Sequence, residues 1–303
     1  MNPVVAPASA GPDLVRVPVP IGARVVAVAL AIAVAVSAAL GLLVDGVYHD
    51  PAPVVALFRG YDLVALTVAV PLLVVAFTRT SARAVLVWAG VLVYAIYNYS
   101  YYLFGAELTV LSVLHAAVFA LAVVGLLLLL ARMDRRAIAS RYRPRTPVRT
   151  VSAVLAALAI TLAVMWFVTM TQALPAGTAM REPSQLAVPT SFTQLGAALD
   201  LALLVPAYLV AGVLLWRRAV WGHIAATALL VAGVMHQIAY MTALAFQALH
   251  DIPGATAFDP AEPVILGIFT AAAAVMLYNC GAPPVPPTSA RWMRRPSSAD
   301  TSP

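Results

Sequence analysis

Residues 85–104 read VLVWAGVLVYAIYNYSYYLF, twenty residues without an Asp, Glu, Lys or Arg, which is the length that crosses the hydrocarbon core of a bilayer as one helix. Inside this run, YAIYNYSYY (94–102) places Tyr94, Tyr97, Asn98 and Tyr101 at i, i+3, i+4 and i+7, so three phenols and an amide share one helical face. A lipid-facing surface has no use for them, and that face is expected to look into a helix bundle. Tyr99 and Tyr102 fall off it and read as members of an interfacial aromatic belt.

Working outward, the chain has 63% hydrophobic and 10% charged residues, well above the ~45–50% apolar share of soluble domains. It reads as an all-α polytopic membrane protein. Apolar runs of spanning length lie at about 23–45, 61–78, 82–104, 107–131, 149–171, 197–216, 219–247 and 262–279, giving eight transmembrane helices in one domain, 23–280. Residues 1–22 and 281–303, rich in Pro, Ala and Ser, are expected to be disordered tails. All 18 basic residues are arginine, and the absence of lysine excludes Schiff-base chemistry such as retinal binding. Cys280 is the sole cysteine, which excludes an internal disulfide and a cysteine metal cluster. With the N-terminus cytoplasmic, sixteen arginines fall on the inside and only Arg59 and Arg181 outside. The positive-inside rule thus selects a multi-pass protein of the cell membrane with both termini cytoplasmic. The arginine-rich loop 132–148 reads as a membrane-surface segment rather than a nucleic-acid site.

The loop also divides the chain into similar halves, 23–131 and 149–280. Asp62 heads DLVALTVAVPLL and Asp200 heads DLALLVPAYLV; AELTVL at Glu107 matches AEPVIL at Glu262; AGVLVYAIY ending at Tyr97 matches AGVMHQIAY ending at Tyr240. This order suggests a 4+4 parallel internal repeat, with Pro71 and Pro206 kinking comparable helices.

Every even-numbered helix is expected to begin with a carboxylate in its first turn. At a helix N-terminus such an acid complements the macrodipole for about 0.3–1 kcal/mol, and for Asp200 and Glu262, at the edges of their spans, this reading and a role in the site both stand. Asp62, beside Tyr61, and Glu107, directly after the tyrosine run, are the candidate reactive acids. His115, expected two turns below Glu107 on one helix, and His236, a turn before Tyr240, are polar groups at a depth where such residues face the bundle interior. No P-loop, GxGxxG, HExxH, GxSxG or DDxxD occurs, so nucleotide, zinc and magnesium-diphosphate chemistry have no motif, and no cofactor or metal is expected.

The runs FRGYDLVALTVAVPLL, YNYSYYLFG, and DLALLVPAYLVAGVLLWRR followed by WGH resemble a large family of bacterial eight-helix membrane proteins of mostly unassigned function, over residues 50–280. More remotely the chain is similar to the metal-independent integral-membrane terpene cyclases of actinobacterial indole-terpenoid pathways. That resemblance implies acid-initiated cyclisation of a polyprenyl or epoxy-isoprenoid substrate taken from the bilayer. Asp62 would be the proton donor and Glu107 the second acid or final base, while Asn98, His115 and His236 orient the acids. The tyrosine face of Tyr94, Tyr97 and Tyr101, with Tyr61 and Tyr240, would line the substrate site. The residues equally suit a transporter or small-molecule-binding protein with a proton- or cation-linked acid site in the outer half, or a scaffold in which these groups only join helices.

Overall fold

The computed structural model describes residues 21–176, 183 and 185–281; the expected tails, Arg181 and Glu182 lie outside the described residues, apart from Ile21, Gly22 and Gly281. Eight helices are long and apolar enough to cross a membrane: α1 Ile21–Leu43, α2 Ala52–Thr78, α3 Ala82–Phe104, α4 Ser112–Arg132, α5 Val148–Leu174, α6 Thr190–Trp216, α7 Val220–Leu249 and α8 Ala261–Asn279. No strand occurs among the described residues.

Burial ranks the helices. In α3 78% of the most apolar window is buried and in α7 56%, against 28–44% in the other six, so α3 and α7 form the centre. Helix α7 packs along α2, α3, α6 and α8, α3 along α4 and α2, α5 along α6, and α1 along α2 and α4. Gly60 of α2 makes a close crossing with α7, where a Cβ would stand 2.7 Å from the Ala243 Cα. Small residues at such a point let backbones approach, which is how helices gain contact in a solvent as apolar as themselves.

Three helices differ from their expected bounds, and the differences matter for the site. Helix α2 starts at Ala52, after Pro51 and with Pro53 in its first turn, and α6 starts at Thr190, after Pro189. Proline pre-sets the first helical φ and gives up only an amide that would be unpaired there anyway. Asp62 and Asp200 are therefore not in first turns: each is the eleventh residue of a 27-residue helix, about 15 Å along it at 1.5 Å per residue. Helix α4, by contrast, starts at Ser112 rather than at Glu107. Of the even-numbered helices, only α8 carries its expected acid, Glu262, in the first turn.

Helices α2 and α6 share a second device. Each widens into a π-turn, Ala65–Ala69 and Asp200–Leu204, two residues before Pro71 and Pro206. The Val70 amide bonds back to the Ala65 carbonyl and the Val205 amide to the Asp200 carbonyl. Proline removes one rung of the ladder and crowds the carbonyl four residues back; the wider turn accommodates both and leaves carbonyls free. Asp62 stands nine residues before its proline and Asp200 six before its own, so the two carboxylates match in depth but not in register with the bulge.

At the arginine-rich end the termini of helices are strapped together. Tyr142 of the loop after α4 pairs with Cys280 just past α8, the Arg143 amide donates to the Asn279 carbonyl at 3.0 Å and the Gly281 amide to the Arg141 carbonyl at 3.0 Å. Arg83 donates to the Cys280 and Tyr278 carbonyls. Burial pushes the Cys280 thiol up to about 11, where little thiolate exists at neutral pH.

Two outcomes follow. Gly60→Ala is expected to cost about 1–3 kcal/mol by overpacking, read as a lowered unfolding temperature in detergent, while Gly267→Ala, which meets nothing within 4 Å, stays within about 0.5 kcal/mol; equal effects would refute the close crossing. Cys280 should resist maleimide in native membranes at pH 7 and react after unfolding or in Arg83→Ala, and rapid labelling of the folded protein would contradict the strap.

Candidate functional site

Tyrosines of α3 face two ways. Tyr97 and Tyr102 are five positions apart, about 140° around a helix at 3.6 residues per turn, and each meets a different carboxylate.

On one side Asp62 is fully buried. Its Oδ2 accepts from the Tyr48 hydroxyl at 2.7 Å and its Oδ1 from the Tyr102 hydroxyl at 2.9 Å. Tyr48 reaches in from the connection between α1 and α2, where Gly46 adopts a φ of +74°, a conformation that glycine takes without cost. Burial first, and then the Asp62 charge, hold the Tyr48 phenol far above its ordinary range, so it serves as a donor. Gly41 of α1 leaves room for the pair, since a Cβ there would fall 2.0 Å from Oδ2. Around them the Tyr102 ring lies 4.4 Å from Phe58, 5.1 Å from Tyr99 and 4.6 Å from His115. His115 is buried, with neither ring nitrogen hydrogen-bonded.

On the other side Asp200, 8% exposed, accepts from the Tyr97 hydroxyl and from the Trp166 indole N–H at 2.8 Å. The Tyr97 and Tyr101 hydroxyls are 3.1 Å apart. His236 of α7 lies edge-on to the Tyr97 ring at 4.9 Å, and Tyr101 packs on Phe192 and Tyr61. Neither carboxylate has an ion-pair partner among the described residues; Arg59, one turn before Asp62, pairs instead with exposed Asp45 at 2.7 Å. A carboxylate buried in apolar surroundings is costly unless it is compensated, and here each is met by two neutral donors.

The expected face is thus divided. Tyr97 and Tyr101 do share a surface, and His236 does neighbour it, with Tyr240 one turn further along α7, but its acid is Asp200 rather than Asp62. Tyr94 turns toward α1 and α2, onto a void of about 10 Å³ that Tyr99, Leu30, Val34, Ala65 and Val70 also line. Asn98 is fully buried and its amide makes no hydrogen bond. The expected place of Glu107 is corrected: it is exposed in the turn before α4, and its amide donates to Asp50 Oδ1 at 2.9 Å. His115 is in the first turn of α4, not two helical turns below Glu107. Burial raises the Asp50 carboxyl and the Glu107 N–H opposes that shift. The belt reading of Tyr102 and Tyr99 is also corrected, both being buried and Tyr102 being a ligand of Asp62.

Tyr48 and Trp166 were not expected at either carboxylate, whereas Tyr102 was read as a belt residue and Asp200 as a helix-terminal acid. The signal for Asp200 was Pro189, which marks a helix start eleven residues ahead of the acid; Pro51 does the same for Asp62. Nothing local marks Tyr48, which lies in a loop and reaches its partner only through the fold.

Tyr102→Phe is expected to lower stability by about 1–3 kcal/mol, the cost of leaving a buried acceptor short of a donor, and to cost less in an Asp62→Asn background. Glu107→Gln should stay within about 0.5 kcal/mol. Thermal unfolding of the four proteins decides it: additive losses, or a large effect at Glu107, would remove the assigned pairing.

Comparison of the chain with protein-family models, curated proteins and solved structures gives no match in any of the three, so the functional reading rests on the chemistry of the two carboxylates.

Proposed function

We propose that this chain is a membrane carrier of a small molecule, linked to a proton or small cation, in which Asp62 and Asp200 are the coupling-ion sites. The observation that carries this reading is that two carboxylates at matching depth in α2 and α6 are each held by neutral donors alone. The counter-charge that such a site lacks is one that a proton or cation from solution supplies. The π-turns that precede Pro71 and Pro206 in both acid-bearing helices support it, because local departures from α-helical bonding that leave carbonyls available occur where membrane proteins line an interior site. Matching neighbour relations, α1–α2–α3–α4 and α5–α6–α7–α8, together with the paired bulges, support an origin by 4+4 duplication. The arginines support both termini being cytoplasmic in the cell membrane. In this reading α3 is the partition between the two ion sites, and its tyrosines are their gates.

A second reading, acid-initiated and metal-independent cyclisation of an isoprenoid from the bilayer, is favoured by one observation. Five rings, Tyr48, Phe58, Tyr99, Tyr102 and His115, surround Asp62 with centroids 4.4–6.3 Å apart, and aromatic faces stabilise a carbocation by about 0.5–2 kcal/mol each. The carrier comes first because the same two-donor arrangement recurs at both acids, whereas the cyclisation calls on Asp62 alone.

Reconstituted protein on a solid-supported membrane should give currents with some member of a panel of small amines, acids and polyols, reduced at least about tenfold by Asp62→Asn and by Asp200→Asn. Currents indifferent to both substitutions would end the carrier reading. Conversion of an epoxidised isoprenoid to a cyclic product, lost in Asp62→Asn, would install the second.

A further inference from the structure

A groove of about 500 Å³ runs along the seam of α5 and α6 at the arginine-rich end, remote in the chain from either carboxylate's donors on α3. Ser152, Ala153 and Ala156 of α5 and Leu209, Gly212 and Val213 of α6 line it, and Trp216 and Arg217 close it at the surface. The register is what makes it a groove: the α5 positions fall at i, i+1 and i+4 and the α6 positions at i, i+3 and i+4, so small residues of α5 and Gly212 of α6 leave one shared trough that Leu209 and Val213 wall. Arg149, at the start of α5, lies over the Trp216 ring at 5.6 Å, which brings a second guanidinium to the mouth. The Arg217 guanidinium makes no ion pair or hydrogen bond among the described residues, its backbone amide alone donating, to the Val213 carbonyl at 3.0 Å. The Ser152 hydroxyl, on a residue 3% exposed, lines the trough without a hydrogen-bond partner.

We propose that this groove binds an anionic phospholipid of the surrounding bilayer, one acyl chain lying on Ala153, Ala156, Leu209 and Val213 and the headgroup phosphate resting between Arg149 and Arg217. The floor is apolar, open to the side on which lipid stands, and ends where a headgroup stands. Two guanidiniums without a carboxylate partner supply the complementary charge, and arginine matches phosphate oxygens with its forked donors. Trp216, half-exposed at the end of its helix, occupies the level of an interfacial anchor. Basic pockets between transmembrane helices on the positively charged face suit such lipids, at about 1 kcal/mol for each arginine near an anionic surface. The unpartnered Ser152 hydroxyl gives the glycerol ester region a donor at the same level. A lipid held there would brace α5 against α6, the helix that carries Asp200.

The test uses the full chain in mixed micelles with lipids brominated on the acyl chain, which quench tryptophan in contact with them. Brominated phosphatidylglycerol should quench the Trp216 component, identified by its loss in Trp216→Phe, at lower concentration than brominated phosphatidylcholine. Arg217→Gln and Arg149→Gln should each weaken the phosphatidylglycerol effect about fivefold, as about 1 kcal/mol per guanidinium requires. Arg79→Gln, an exposed arginine at the same end but away from the groove, should leave it unchanged, and Ala153→Phe, which fills the trough without adding a tryptophan, should reduce quenching by both lipids. Equal quenching by the two lipids in wild type, or equal loss in Arg79→Gln and Arg217→Gln, would overturn the proposal. So would displacement of the lipid by millimolar glycerol 3-phosphate, which would assign the guanidiniums to a soluble phosphate ester. Should Ala153→Phe fail to fold, the wild-type comparison and the exposed Arg217→Gln variant still decide it.

Discussion

A carboxylate without a cation in the interior of an apolar bundle is the constraint from which much of this molecule's arrangement follows. Asp62 sits in the middle of α2, and both of its oxygens must find donors inside the protein because lipid offers none. Meeting that demand takes a loop that sends Tyr48 inward, a helix that presents Tyr102, and a glycine at position 41 so that α1 can close over the pair. Asp200 makes the same demand from the other half and is met by Tyr97 and Trp166. Because Tyr97 and Tyr102 stand on one helix, α3 has to be central, and its high burial is the visible consequence.

The second central helix, α7, is polar for a different reason. Gln247 is fully buried and spends its whole amide on backbone, donating to the Pro53 and Ala187 carbonyls at 2.8 and 2.9 Å and accepting from the Ala187 amide at 2.9 Å. It fixes the start of α2 and the approach to α6, the two helices that carry the acids, against one scaffold. Gln237 donates to Glu262 at the start of α8. Polar side chains of α7 therefore hold helices in place, whereas those of α3 hold charges. Single interhelical hydrogen bonds in membranes contribute only about 0.6–2 kcal/mol, so the several bonds at Gln247 make it a firmer anchor than any isolated pair. The strap at the arginine-rich end closes the opposite pole, where Arg83, Tyr142 and Cys280 tie three connections together.

The chain alone determined the eight helices, their membrane character and the importance of the tyrosine run, because apolar length, arginine placement and helical spacing are local properties that need no partner. Asp62, Tyr97, Tyr101, His115 and His236 were legible as inward-facing for the same reason: a polar group in a spanning run has nowhere else to go. What only the tertiary structure decided was the pairing. Tyr102 looked like a belt residue because its partner lies on another helix, and Asp200 looked like a helix cap because Pro51 and Pro189 move the starts of α2 and α6 by about two turns. Glu107 fell out of the site because Gly105 ends α3 and the next helix begins only at Ser112. Hydrogen bonds between residues 14 to 103 positions apart, such as Tyr48–Asp62 and Tyr97–Asp200, depend on which helices pack together and at what rotation, and hydrophobic periodicity, nearly uniform in so apolar a chain, carries no record of either.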